Sequence, residues 1–160
     1  VPFRDLLAYS HALCRQVGPL PPPRVLNIDH GRQRFLLFRL PATRPAGGCT
    51  TPALAFVDAP TPGAEVGSGF DVTGWAFKDG VGLRGVEVTV DGMAAARMAY
   101  GDANPGVAAF WKVSRDPAHP RVGFHGRVDG VATGRHWLGL RLHGRDGSVE
   151  DWPAQVVEVR

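Results

Sequence analysis

Arg84-Gly85-Val86-Glu87-Val88-Thr89-Val90-Asp91-Gly92 is the stretch whose reading decides the fold. Val86, Val88 and Val90 fall on one side of an extended chain, and Glu87 and Thr89 on the other. A period of two puts one face in a core and the other in water. Asp91-Gly92 is the strongest short hairpin signal, so a second strand is predicted near Met93–Tyr100. The same rhythm recurs on both sides. Downstream, Arg121–Val128 reads as a strand, and Arg135–Arg145 places His136, Leu138, Leu140 and Leu142 on one side. Asp146-Gly147 is a second hairpin turn, and Gln155–Arg160 closes the sheet. Upstream, Gly69–Phe77 and Leu54–Asp58 are strands, the latter ended by Pro60-Thr61-Pro62-Gly63. Residues 101–120 interrupt the series as a long insertion with a helical turn around Val107–Val113. About seven short strands with regular turn signals predict an all-β, immunoglobulin-like β-sandwich over 53–160.

Residues 1–52 read differently. Phe3, Leu6, Leu7, Leu13, Cys14 and Val17 recur at helical spacing, so a helix is predicted over 3–17. Pro2 and Asp5 suit its first turn, and Gly18-Pro19 stops it. Pro21-Pro22-Pro23 makes a stiff connector. The apolar runs Arg24–Ile28 and Arg34–Leu40 flank the turn Asp29-His30-Gly31-Arg32 and predict a β-hairpin. Phe35-Leu36-Leu37-Phe38 is apolar on both faces, so it must be covered by the helix, the sandwich or a second chain, and oligomerisation through this segment is an expectation. Residues 41–52 form a Pro/Gly linker. Residues 1–52 are also readable as the tail of a preceding domain. The absence of an initiator Met predicts a processed product or a fragment of something longer, and Val1–Asp5 is not a signal peptide.

The 160 residues are 44% hydrophobic and 21% charged, values of a globular chain. No apolar run is long enough to span a bilayer, so a membrane enters only through a region outside this sequence. Residues 1–52 carry seven arginines against Asp5 and Asp29, whereas residues 53–160 carry eleven basic and thirteen acidic residues. A slightly acidic sandwich excludes nucleic acid as the expected partner, because such modules cluster positive charge on the docking face. The strong preference for Arg over Lys, with abundant Gly, Ala, Val and Pro, fits a GC-rich bacterial genome.

Val72-Thr73-Gly74-Trp75-Ala76, Asp79-Gly80-Val81 and Val86–Gly92, followed by Gly123-Phe124, Gly134-Arg135-His136-Trp137-Leu138 and Arg145-Asp146-Gly147, resemble the bacterial immunoglobulin-like domain family. The resemblance covers about residues 54–159. Its motifs are turn glycines and core valines, informative on fold and nearly silent on function. It implies an accessory unit of a secreted or surface-attached bacterial protein.

Candidate chemistry is sparse. No His-x-His or His-Glu-x-x-His occurs, His136 and His143 point to opposite faces of one strand, and the Asp-Gly pairs are explained by turn geometry, so no metal or cofactor is expected. Ser68 lacks a nucleophile-elbow pattern. Ser114, Asp116 and His119 share a Pro-rich loop rather than a rigid scaffold. No catalytic residue is assigned. Phe110 and Trp111 in the insertion, beside Lys112 and Arg115, are the candidate ligand-binding group: exposed rings stack on sugars and Arg115 would bind hydroxyls. The alternative is that Trp111 plugs one end of the sandwich. Trp75, Trp137 and Trp152 read as core or edge-covering residues. Cys14 and Cys49 are either bridged, tying the helix to the linker, or one buried and one exposed thiol. These readings lead to a non-catalytic accessory or interaction module, extracytoplasmic, with protein or glycan as partner. The alternatives are a carbohydrate-binding module using Phe110, Trp111 and Arg115, or the C-terminal piece of an enzyme or membrane protein whose activity lies upstream.

Overall fold

A computed structural model describes residues 3–17, 24–28, 30, 32–37, 39 and 51–160. The connector over 18–23, the linker up to residue 50 and Cys49 lie outside the described residues. The first described element is a single 3-10 turn, Phe3–Asp5, leading into α1 (Leu6–Val17). The hairpin follows as β1 (Arg24–Ile28) and β2 (Gln33–Leu37), with Leu26 opposite Phe35. The remaining strands are β3 (Leu54–Ala59), β4 (Ala64–Val66), β5 (Phe70–Phe77), β6 (Leu83–Val90), β7 (Met93–Arg97), β8 (Ala99–Asp102), β9 (Gly123–Val128), β10 (Gly134–Gly144) and β11 (Val149–Val159). One short helix, α2 (Pro105–Phe110), lies between β8 and β9.

Strands β3–β11 form an immunoglobulin-like sandwich of two sheets, ordered β4-β11-β10-β6-β7 and β3-β5-β9-β8. Val86 and Val88 are buried where their spacing put them, beside Leu138, Leu140 and Leu142 of the adjacent β10, and they share one core with Phe70, Val72 and Phe124 of the other sheet. Gly74 sits in that core because a side chain there would collide with the Phe56 carbonyl oxygen and the Phe124 ring.

Two of the nine strands were not expected from sequence. The run read as one strand over 93–100 is two. The chain leaves one sheet at Met98 and enters the other, with the Met98 side chain buried against Gly126. The closing strand begins at Val149 rather than Gln155. Pro153 lies at the β-bulge where the β10–β11 register slips between Leu138 and Leu140, so its missing N–H removes no ladder bond. The unforeseen β4 is three residues long and pairs in parallel with β11.

α1 packs on this body. Leu6 and Leu7 join the sandwich core, and Ser10 and Cys14 are buried on the same helical face. His11 Nε2 stands 2.5 Å from Asp79 Oδ2. On the hairpin, Leu26, Ile28, Phe35 and Leu37 are exposed together on one face.

The β6–β7 turn is the tight type that Asp-Gly favours, with φ of 51° at Asp91 and 81° at Gly92. Asp91 also reaches sideways: Oδ1 accepts from Trp137 N at 2.8 Å, and Oδ2 stands 2.7 Å from His136 Nδ1. His136 Nε2 donates to the Ala132 carbonyl at 2.9 Å. The Trp137 N–H and then His136 hold the Asp91 carboxyl below its ordinary 3.8. The Asp91 carboxylate, ahead of the opposing effect of desolvation, holds His136 above its ordinary 6.5.

A raised His pKa contributes stability that is complete below 6.5 and fades as pH rises through the folded value. A lowered Asp pKa contributes stability present above 3.8 and lost as pH falls through the folded value. Asp91→Asn keeps a side chain tolerant of positive φ and an acceptor for Trp137, but removes the charge. Its destabilisation should therefore be greatest between pH 3.8 and 6.5 and shrink on either side. Urea midpoints of the two proteins across pH check this; a difference that stays constant as pH rises well above 6.5 is incompatible with it.

Candidate functional site

The insertion between β8 and β9 is the feature a plain sandwich lacks. Asn104 Oδ1 accepts from Val107 N at 3.2 Å, and Pro105 occupies the first turn. That cap starts α2 at Pro105, two residues before the expected turn. The helix and following loop lie across the outer face of the four-stranded sheet, to which Trp75 and Phe77 point from alternate positions of β5. Trp111 enters beneath, at 2% exposure, edge-on to Phe77 and Trp75 with centroids 5.7 and 6.3 Å away. Phe77 also meets the His119 ring at 5.0 Å.

Burial of Trp111 corrects the stacking group proposed from sequence. A ring closed off by Phe77, Trp75 and Phe110 has no face to offer a ligand, and it acts as the plug. Arg115 is also elsewhere: its backbone N–H donates to Asp79 Oδ1 at 2.5 Å and its Nη2 to Asp79 Oδ2 at 3.2 Å. Of the two candidate rings only Phe110 stays at an open surface, 50% exposed; Arg115 is exposed as well, but its guanidinium is paired with Asp79.

Around Phe110 the structure assembles a different group. Phe56 on β3 stands directly opposite Trp75 on β5 in the ladder. Their rings stack nearly parallel, 17° apart with centroids at 6.2 Å, and Phe56 is 40% exposed. Phe56, Trp75 and Phe110, with Val107 and Trp111 below, line an open depression of about 490 Å³ that also carries Asp58 and Asn104. Burial raises the Asp58 carboxyl above its ordinary 3.8. Sequence pattern alone missed Phe56 and Trp75. They are nineteen residues apart, and only the β3–β5 register shows that they share the outer face.

The insertion is anchored by polar groups that resemble a reactive set in composition. Ser114 Oγ and His119 Nε2 are 2.9 Å apart. Asp116, however, is buried with its oxygens accepting from Lys78 N and Ala118 N, both at 2.7 Å, and His119 Nδ1 has no hydrogen-bond partner. Burial lowers His119 below its ordinary 6.5 against the opposing pull of Asp116 and Asp79. Asp116 therefore does not orient the imidazole, as a general base requires. Among the described residues no group of His, Cys, Asp and Glu converges as a metal site. Cys14 is buried on α1, and its candidate partner Cys49 lies outside the described residues.

No protein-family model matches the chain. No curated protein matches it either. Among solved structures, it is similar to the fibronectin(III)-like modules of Clostridium thermocellum CbhA, at 19% identity and TM-score 0.43, over 66% of this chain and 94% of that one. CopC from Methylosinus trichosporium OB3b is similar at 15% identity and TM-score 0.38, over 66% and 93% of the two chains. The endo-beta-1,4-mannanase from Thermotoga petrophila is similar at 13% identity and TM-score 0.45, over 68% of this chain but 20% of that one. None of these likenesses assigns a ligand to the chain.

Proposed function

We propose that this chain is a non-catalytic accessory module of an extracytoplasmic bacterial protein, built on a bacterial immunoglobulin-like domain, and that the aromatic depression is its binding seat. The observation that carries the reading is the nearly parallel pair of exposed Phe56 and half-buried Trp75, with Phe110 beside it and two polar side chains, Asp58 and Asn104, in the same depression. Flat rings with a few convergent polar groups are how proteins hold small amphipathic ligands. A saccharide suits this arrangement: the C–H face of a sugar ring lies on Phe56 or Trp75, and hydroxyls reach Asp58 and Asn104. The site differs from the insertion group of Phe110, Trp111 and Arg115 by trading the buried indole and the remote guanidinium for the two strand aromatics.

The test is a glycan array followed by titration of the hits, with tryptophan fluorescence as readout. Trp75→Ala should weaken binding by about tenfold or more, because loss of one stacking ring is worth about 1.5 kcal/mol. Phe110→Ala should weaken it less. A protein that binds no glycan, or binds one equally well without Trp75, would leave the saccharide reading without support.

A further inference from the structure

The outer face of the other sheet carries a second opening. Arg84, Gly85 and Glu87 on β6, Arg97 and Met98 at the end of β7, and His143 on β10 line a cleft of about 390 Å³. Two features set it apart from ordinary solvated surface.

The first is charge left without a partner. Six arginines of the sandwich engage carboxylate or carbonyl oxygens. Arg84 and Arg97 engage none among the described residues, although Glu87 stands opposite Arg97 in the ladder. Glu87 instead lies toward His143, whose Nε2 is 3.8 Å away and makes no hydrogen bond. Arg121, which likewise engages none, is on the loop before β9 and not at the cleft. Two guanidiniums against one carboxylate leave the cleft with surplus positive charge in a sandwich that is slightly acidic as a whole.

The second feature is Gly85. A glycine inside a strand weakens it and often marks close approach by a ligand. Gly85 needs no special conformation, since its φ is not positive, and no neighbour crowds it: an added Cβ would meet nothing within 4 Å. The effect of having no side chain there is to keep the cleft open.

We propose that this cleft binds an oxyanion, a carboxylate or a phosphate, held by Arg84 and Arg97. Guanidinium forks match the geometry of both groups and form charge-assisted hydrogen bonds with them. The site is on the opposite sheet from the aromatic depression, so the two stand or fall separately.

The experiment is an NMR titration of isotope-labelled protein with inorganic phosphate and, separately, with glucuronate, each at ionic strength matched by sodium chloride. Amide signals of 84–87, 97, 98 and 143 should move saturably with at least one of them. Saturation by phosphate alone identifies a phosphoryl group; saturation by glucuronate alone identifies a carboxylate. Arg84→Gln and Arg97→Gln should each weaken binding about tenfold. Gly85→Val adds a strand-favouring side chain into open space, so it should retain the wild-type melting temperature and lose binding. Trp75→Ala should leave this titration unchanged. Shifts that fail to saturate with either anion, or a Gly85→Val protein that binds as the wild type does, overturn the proposal.

Discussion

Replacing Trp111 by alanine is expected to cost about 3–5 kcal/mol of folding free energy, the range for emptying a buried aromatic site. Trp111 is the largest fully buried side chain among the described residues, and it is what lies between the insertion and the outer face of the four-stranded sheet. The surroundings cannot easily collapse into the gap, because Phe77 and Trp75 are fixed on β5 and α2 is fixed by its Asn104 cap. For a domain of this size the melting temperature should fall by about 2–4 °C per kcal/mol lost. The neighbouring Phe110→Ala change should cost about 1 kcal/mol or less, since that ring is half in solvent. Urea unfolding of the two variants separates a plug from a surface ring. Equal, small losses would mean that the insertion is held by its polar contacts rather than by the indole.

Lys78 should be nearly as costly to remove. It is buried, yet its ammonium donates to Ser148 Oγ at 2.7 Å and Glu150 Oε2 at 3.0 Å, with Asp146 Oδ2 at 3.5 Å. Glu150 in turn accepts from Ala53 N, tying the start of β3 to the β10–β11 hairpin. Lys78→Met leaves Glu150 largely buried without its cation, and breaking such a pair on one side typically costs about 3–5 kcal/mol. Adding Glu150→Gln removes the stranded charge but keeps an acceptor for Ala53. The double variant should therefore be more stable than Lys78→Met alone, a coupling a double-mutant cycle reads directly. Strictly additive losses would show that the two groups do not stabilise each other.

Much of this architecture is legible in the residue order, and the misses have physical reasons. Val86, Val88 and the Asp91-Gly92 corner behave as their periodicity and turn chemistry require, because each effect is local. The break at Met98 is not local. Alternation continues through Ala96 and Tyr100, and only the Met98–Gly126 contact marks the change of sheet. The closing strand, expected from Gln155, begins at Val149 and runs through Pro153, because a bulge removes the need for the Pro153 N–H. The aromatic depression eluded the pattern for a related reason. Trp75 has the sequence context of a core residue, and it becomes part of a surface only when Phe56 is set beside it and the insertion stops short of covering both. Likewise, Trp111 and Phe110 are adjacent in sequence but lie on opposite sides of one short helix end. Spacing cannot say which of the two turns inward.

The strand order has one last consequence. β3 and β4 are outermost in different sheets yet consecutive in the chain, and so are β7 and β8. Backbone therefore stitches the two layers together along both flanks, and the layers cannot hinge apart like the covers of a book. Each layer keeps one very short margin, three residues at β4 and four at β8, which offers little to a further strand, and one longer margin, six residues at β3 and five at β7. Lateral pairing by a further strand is therefore open at one side of each layer only.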